Sequence, residues 1–201
     1  LGGMVPIPSL SAHARFELIK ANGLAFAYLD YGDSDKPPVI LLHAGGLHKE
    51  LWDPIARDLC HYYRVLVMDQ RGHGDTHKPI DDYHWQRFGD DLVAFVEALG
   101  LDEVLVVGHS SGGTATILAT SSRPDLFGRA ILVEPAIPSL GESDLRNSSR
   151  RIAYRARRRR SSFPSTDIFF EYFRSRHRFR LWTDETLWLH AFYGTHMGLD
   201  G

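Results

Sequence analysis

Val104-Leu105-Val106-Val107-Gly108-His109-Ser110-Ser111-Gly112 is the stretch on which the reading of this chain turns. Four apolar residues in a row, three of them valine, mark a strand buried on both faces. A serine between two glycine-bearing steps follows at once, and residues 114–120 then continue as a helix. Strand, tight turn and helix in that order are the setting of a nucleophile elbow, G-x-S-x-G, in which the serine hydroxyl stands clear of its own backbone. The flanking Gly108 and Gly112 let neighbouring backbone pass without a Cβ clash. The start of the helix places a partial positive charge where an anion would develop. The competing interpretation is a Gly/Ser-rich strand–helix turn that performs no chemistry.

Outward from this stretch the chain alternates strands and helices. Residues 16–20 and 24–29, joined at Asn22-Gly23, predict an antiparallel hairpin. Residues 39–42, 64–68 and 130–133 are apolar runs that read as further buried strands, like 104–107. Residues 51–59 have helical spacing, and Leu92, Phe95, Val96 and Leu99 place an apolar stripe on a helix over 91–99, closed by Gly100. Buried strands alternating with helices predict an α/β fold, a mostly parallel sheet with flanking helices. After residue 138 the pattern changes, and residues 144–160 and 166–198 read as helical and aromatic-rich. We therefore expect a core over residues 1–138 and a helical, arginine-rich segment over 139–201.

Composition narrows the class. The 201 residues are 43% hydrophobic and 24% charged, which excludes wholesale disorder and low complexity. No apolar run approaches the roughly 18 residues of a membrane span, and the first 30 residues lack the pattern of a secretory signal. A lone cysteine, Cys60, fits a reducing, cytoplasmic setting. The net charge of −2 conceals an asymmetry: residues 146–180 hold twelve arginines against two acids, a surplus of +10, so the remainder carries −12. A solvated basic helix is the first interpretation of that segment, and steering of anionic substrates the second. Nucleic-acid binding ranks last, because the rest of the chain would repel a polyanion and no nucleic-acid module is present. The expected partner is a small molecule, with no nucleic acid and no membrane.

Four motifs in order, over roughly residues 15–138, resemble the α/β-hydrolase superfamily, in its branch of small esterase-like enzymes with a helical lid. They are Leu42-His43-Ala44-Gly45-Gly46, Asp69-Gln70-Arg71-Gly72-His73-Gly74, the elbow Gly108–Gly112, and Ile131-Leu132-Val133-Glu134-Pro135. Ala44 stands where that family usually has glycine. The resemblance implies a serine hydrolase acting on a small ester, lactone or related acyl substrate, with Ser110 as nucleophile and no metal or organic cofactor. It implies an oxyanion hole from the backbone amides of Gly45 and Ser111. By the same resemblance Asp69, Arg71 and His73 stabilise a loop, and His43 belongs to the oxyanion loop.

The family's order of Ser, then acid, then His sends the remaining partners downstream of Ser110. Glu134, at the end of a strand, is the candidate acid. His177, His190 and His196 all lie in the lid-like segment. Of these, His196, near Gly194 and Gly198, is the candidate base, while His190 reads as a packing or surface residue. None follows a buried parallel strand, so the expectation is that the base lies beyond Gly201 and that the 201 residues alone are inactive or nearly so. Two other readings stay open: a non-catalytic ligand-binding protein that keeps the pocket, and a cofactor-free haloperoxidase or C–C hydrolase using the same serine.

Overall fold

A computed structural model describes residues 9–137, Tyr154, Arg158, 160–196 and Gly198. Six strands form one sheet in the order β1-β2-β4-β3-β5-β6. β1 (Arg15–Ala21) and β2 (Leu24–Tyr31) make the expected antiparallel hairpin, turning at Asn22 (φ 46°) and Gly23 (φ 73°). Positive φ at both central residues gives the turn a twist that matches the strands, which is why an Asn-Gly pair sits there. β3 (Pro38–Leu42), β4 (Arg64–Met68), β5 (Val104–His109) and β6 (Phe127–Val133) run parallel, while β2 joins β4 antiparallel.

Alternation along the central strands divides the core. Ile40, Leu42, Leu66, Met68, Val104 and Val106 face α2 (Trp85–Ala98) and α3 (Ser111–Ser122) with Leu92, Phe95 and Ala119. Val39, Leu41, Val65 and Val67 face the other way, towards Ala56 and Cys60 around α1 (Asp53–Leu59). Helices on both faces of a largely parallel sheet are the α/β class expected from the sequence.

Several elements differ from their expected bounds. α2 begins at Trp85, six residues before the expected start, because Gly89 is a close-packing position and not a break. A Cβ there would come 2.6 Å from the Leu118 Cβ, where α2 crosses α3. Residues 51–52, expected in α1, belong to the 3₁₀ turn Lys49–Trp52. β6 was expected to be buried on both faces; instead Ile131, Leu132 and Val133 are 51%, 40% and 42% exposed. The strand is the sheet's edge, and no described element lies beyond it.

The segment after residue 160 folds as two helices, α4 (Thr166–Arg174) and α5 (Asp184–Tyr193), where one helical pattern over 166–198 was expected. The 3₁₀ turn His177–Phe179 separates them. Ser165 Oγ accepts from the Ile168 amide and Thr183 Oγ1 from the Thr186 amide, so each helix has a side-chain N-cap. The two enclose Phe169, Phe170, Leu187 and Ala191, with Trp188 stacked on Phe170 at 4.2 Å between centroids. Of the helix expected over 144–160, only Tyr154, Arg158 and Arg160 are among the described residues. No described helix is long and apolar enough to cross a membrane.

Candidate active site

The sheet's topology brings the site together. From β3 the chain crosses one way to β4 and, later, the other way to β5, so the loops leaving β3 and β5 diverge from a common crevice. The register pairs Leu42 with Gly108, so the loop at residues 43–46 meets the loop at residues 109–112 directly. The glycines of the elbow are required by that closeness. A Cβ on Gly112 would fall 2.6 Å from the Leu42 carbonyl oxygen, and one on Gly108 2.5 Å from the Gly112 carbonyl oxygen and the Thr116 hydroxyl.

Ser110 sits between strand and helix with φ 53° and ψ −110°. An L-residue in this region costs of the order of 1–3 kcal/mol and persists only where its surroundings fix it. The surroundings do so through the backbone: the Ser110 amide donates to the Val133 carbonyl at 2.9 Å, and its carbonyl accepts from the amides of Ala136 (3.0 Å) and Thr114 (3.1 Å). The turn after β6 thus clamps the elbow from outside the sheet. The Thr114 hydroxyl, donating to the Ala136 carbonyl at 2.6 Å, adds a fourth tie. Ser110 is half-buried, and its hydroxyl makes no hydrogen bond to any described residue.

Ser111, the first residue of α3, is buried, and its Oγ accepts from Gln70 Nε2 at 3.3 Å. A Cβ on Gly45 would lie 3.5 Å from the same Oγ, so the two residues assigned to the oxyanion hole are in contact. Gly46 next to it turns through φ 78°. His43 holds this loop. The Gln70 amide donates to His43 Nε2 (3.1 Å), which puts the proton on Nδ1, where it donates to the Ala44 carbonyl at 2.9 Å. Burial lowers the pKa of His43 to about 3, against the pull of Asp69, so the ring is neutral across the physiological range. With both nitrogens engaged, it is a positioning residue.

Beneath the loop lies a group that the sequence did not announce. Lys49 is completely buried, with its ammonium 2.9 Å from Asp69, 2.8 Å from Glu50 and 2.5 Å from Asp75. Burial would pull the ammonium's pKa down, but Asp69 and Glu50 hold it above the ordinary lysine value. Burial would likewise raise Asp69, but His43 and Lys49 lower it overall. Since His43 is neutral above about pH 3, Lys49 is the standing cation. Asp69 also accepts from the backbone amides of Lys49 (2.7 Å) and Asp75 (3.0 Å), joining the loops after β3 and β4. Arg71 grips Asp91 of α2 bidentately, at 2.6 and 2.7 Å. From Glu50 the network continues to His48 (2.8 Å) and then to His190 of α5 (3.4 Å).

None of the remaining sequence candidates forms a side-chain hydrogen bond with Ser110. Glu134 follows β6 with φ 43°, one residue past the carbonyl that clamps Ser110, but its side chain is exposed. His196 is exposed beyond the end of α5. His190 is packed among Phe169, Phe173 and Phe179. No described imidazole bonds to Ser110 Oγ. Among the described residues no cluster of three or more His, Cys, Asp or Glu is arranged to hold a metal ion. A cavity of about 660 Å³ separates Gly46 and Leu47 from the lid helices.

Comparison with known proteins agrees with this geometry. The family described as alpha/beta hydrolase fold matches residues 37–192. A non-heme chloroperoxidase of Streptomyces lividans is 32% identical over 126 residues, 62% of this chain and 46% of its own length. An N-formylmaleamate deformylase of Pseudomonas putida is 34% identical over 125 residues, 61% of this chain and 46% of its own. Among solved structures, the thioesterase domain from the curacin biosynthetic pathway superposes with a TM-score of 0.77 at 21% identity, over 94% of this chain and 70% of that one. The chain spans about half the length of the curated relatives it matches.

Proposed function

This chain belongs to the α/β-hydrolase fold family, and on that premise we propose that it is a serine hydrolase cleaving a small ester, lactone or related acyl substrate. Ser110 Oγ attacks the acyl carbon while a base takes its proton. The amides of Gly45 and Ser111 hold the resulting oxyanion, and collapse expels the alcohol to leave an acyl-serine that water then hydrolyses. The base is assigned to residues beyond Gly201, oriented there by an acid or by Glu134; within the 201 residues, His196 is the reserve candidate. The chemistry calls for no metal or organic cofactor.

The observation that carries this reading is Ser110 at φ 53° on a strand–helix turn, held by three backbone hydrogen bonds, with its own side chain left without a partner among the described residues. Strain of this kind persists only where the surrounding structure enforces it, and it collects at active sites.

The test is hydrolysis of short-chain p-nitrophenyl esters by the full-length protein. Ser110→Ala should lower kcat/KM by at least about 10³-fold. Turnover that survives this substitution contradicts the reading. The 201 residues alone should be slower than a chain that continues past Gly201 by about 10² or more, the usual contribution of a general base. Equal rates would return the base to His196. A second reading follows from the similarity to a chloroperoxidase, with hydrogen peroxide replacing water as the acceptor on the same acyl-serine. Peroxide-dependent bromination exceeding ester hydrolysis would favour it.

A further inference from the structure

Two sets of described arginines differ in their partners. Arg57, Arg64, Arg71, Arg123 and Arg174 each pair with a carboxylate. Arg160, Arg176 and Arg178 have no such partner among the described residues, and all three line the cavity between α4, α5 and Gly46-Leu47. No Asp or Glu contributes to its wall among the described residues. The Arg176 guanidinium lies 4.3 Å from the centroid of Tyr172, and that of Arg160 4.5 Å from Phe163 and 5.9 Å from Tyr172. Stacking on a ring face orients a guanidinium and leaves in-plane N–H groups for a planar, two-oxygen anion; in Arg160 the Nε–H donates to the Ser162 carbonyl at 2.9 Å, and the two terminal nitrogens remain. Three like charges beside one cavity repel one another, and aromatic walls strengthen their joint field. An anion in the cavity relieves the repulsion.

We propose that this cavity binds the carboxylate of an acyl substrate, with Arg160, Arg176 and Arg178 holding the anion and Phe169, Phe173 and Phe179 packing against its apolar body. The inference rests on the hydrolase reading and names its substrate class: esters or amides that carry a free carboxylate away from the bond to be cleaved. Leu47 and Gly46 form the cavity's floor, and Gly45, the next residue back, touches Ser111. A substrate anchored by its carboxylate in the lid therefore extends towards the loop where the acyl oxygen would bind. The arginine surplus acquires a purpose that a merely solvated helix would lack.

The experiment separates binding from hydrolysis by using Ser110→Ala. Benzoate and benzamide, matched in shape and different in charge, are titrated against the variant by calorimetry, with the fluorescence of Trp182 and Trp188 as a second readout. Benzoate should bind at least about tenfold more tightly than benzamide, the size of one charge-assisted hydrogen bond. Adding Arg160→Gln, Arg176→Gln and Arg178→Gln together should abolish that preference. Arg129→Gln, on the exposed edge of β6, should leave it intact. Equal binding of the two ligands, no binding of either, or a preference that survives the triple substitution overturns the proposal. Because this readout needs no turnover, absence of esterase activity in the unsubstituted full-length protein would refute the hydrolase reading and leave the anion site standing. Mono-p-nitrophenyl glutarate against p-nitrophenyl valerate then asks whether the same preference appears in kcat/KM.

Discussion

The crevice around Ser110 and the pair of helices α4 and α5 treat polar groups in opposite ways. At the crevice, charges are buried and partnered: Lys49 has three carboxylates, Asp69 accepts from two amides as well, and both His43 nitrogens are in use. Around α4 and α5, Arg160 and Arg176 lie at the surface of a cavity against aromatic rings, without a carboxylate partner among the described residues, while Arg174 pairs with Asp184. A saturated low-dielectric network resists rearrangement, whereas stacked, solvated side chains adjust at little cost. The difference separates two tasks. In the function proposed above, the crevice holds the reacting atoms in place and the helices α4 and α5 select what is presented to them.

The contrast should be plainest in stability. Lys49→Met leaves Asp69 and Glu50 buried without their cation, and unfolding by denaturant should show a loss of about 3–5 kcal/mol, as for other buried pairs broken on one side. A loss under 1 kcal/mol would mean that the network relaxes as freely as the lid.

Acid should reach the crevice next. The folded pKa of His43 is about 3, below its unfolded value, so the unfolded chain takes up a proton that the native ring refuses. This stability is present above about pH 6.5 and is lost as pH falls towards 3, by about 2 kcal/mol at pH 5. The depressed Asp69 carboxyl acts in the same direction at lower pH. His43→Gln should flatten the slope of unfolding free energy between pH 6.5 and 5 by close to one proton. Identical slopes in the two proteins would remove His43 from the account.

The smallest effect belongs to the lid's periphery. Arg57 joins α1 to Glu185 of α5, both more than two-fifths exposed, so Arg57→Ala should cost only about 0.2–1 kcal/mol and less in high salt. A loss of several kcal/mol would show that the lid is braced as rigidly as the crevice.

How far the sequence revealed these regions follows the same division. Residues 64–68 were legible to the residue, because a strand with both faces covered has to be apolar throughout. The elbow was legible because its glycines answer a local steric demand. Lys49 was not, since a lysine reads as surface until Asp69 and Asp75 arrive from a loop twenty and more residues away. The contact of His48 with His190 spans 142 positions and has no local signature. Phe127-Gly128-Arg129 looked unlike a strand and is recruited by pairing with β5. After residue 160 the aromatic periodicity ran on and concealed the break between α4 and α5, whose caps Ser165 and Thr183 the structure reveals.

The central claim is that Ser110 is the nucleophile. A fluorophosphonate probe applied to the full-length protein, followed by mass spectrometry of its peptides, tests this most directly. The account predicts a single adduct on the peptide containing Ser110, which Ser110→Ala eliminates and a short-chain ester suppresses by competition. No adduct, or an adduct on another residue that persists in Ser110→Ala, would contradict it.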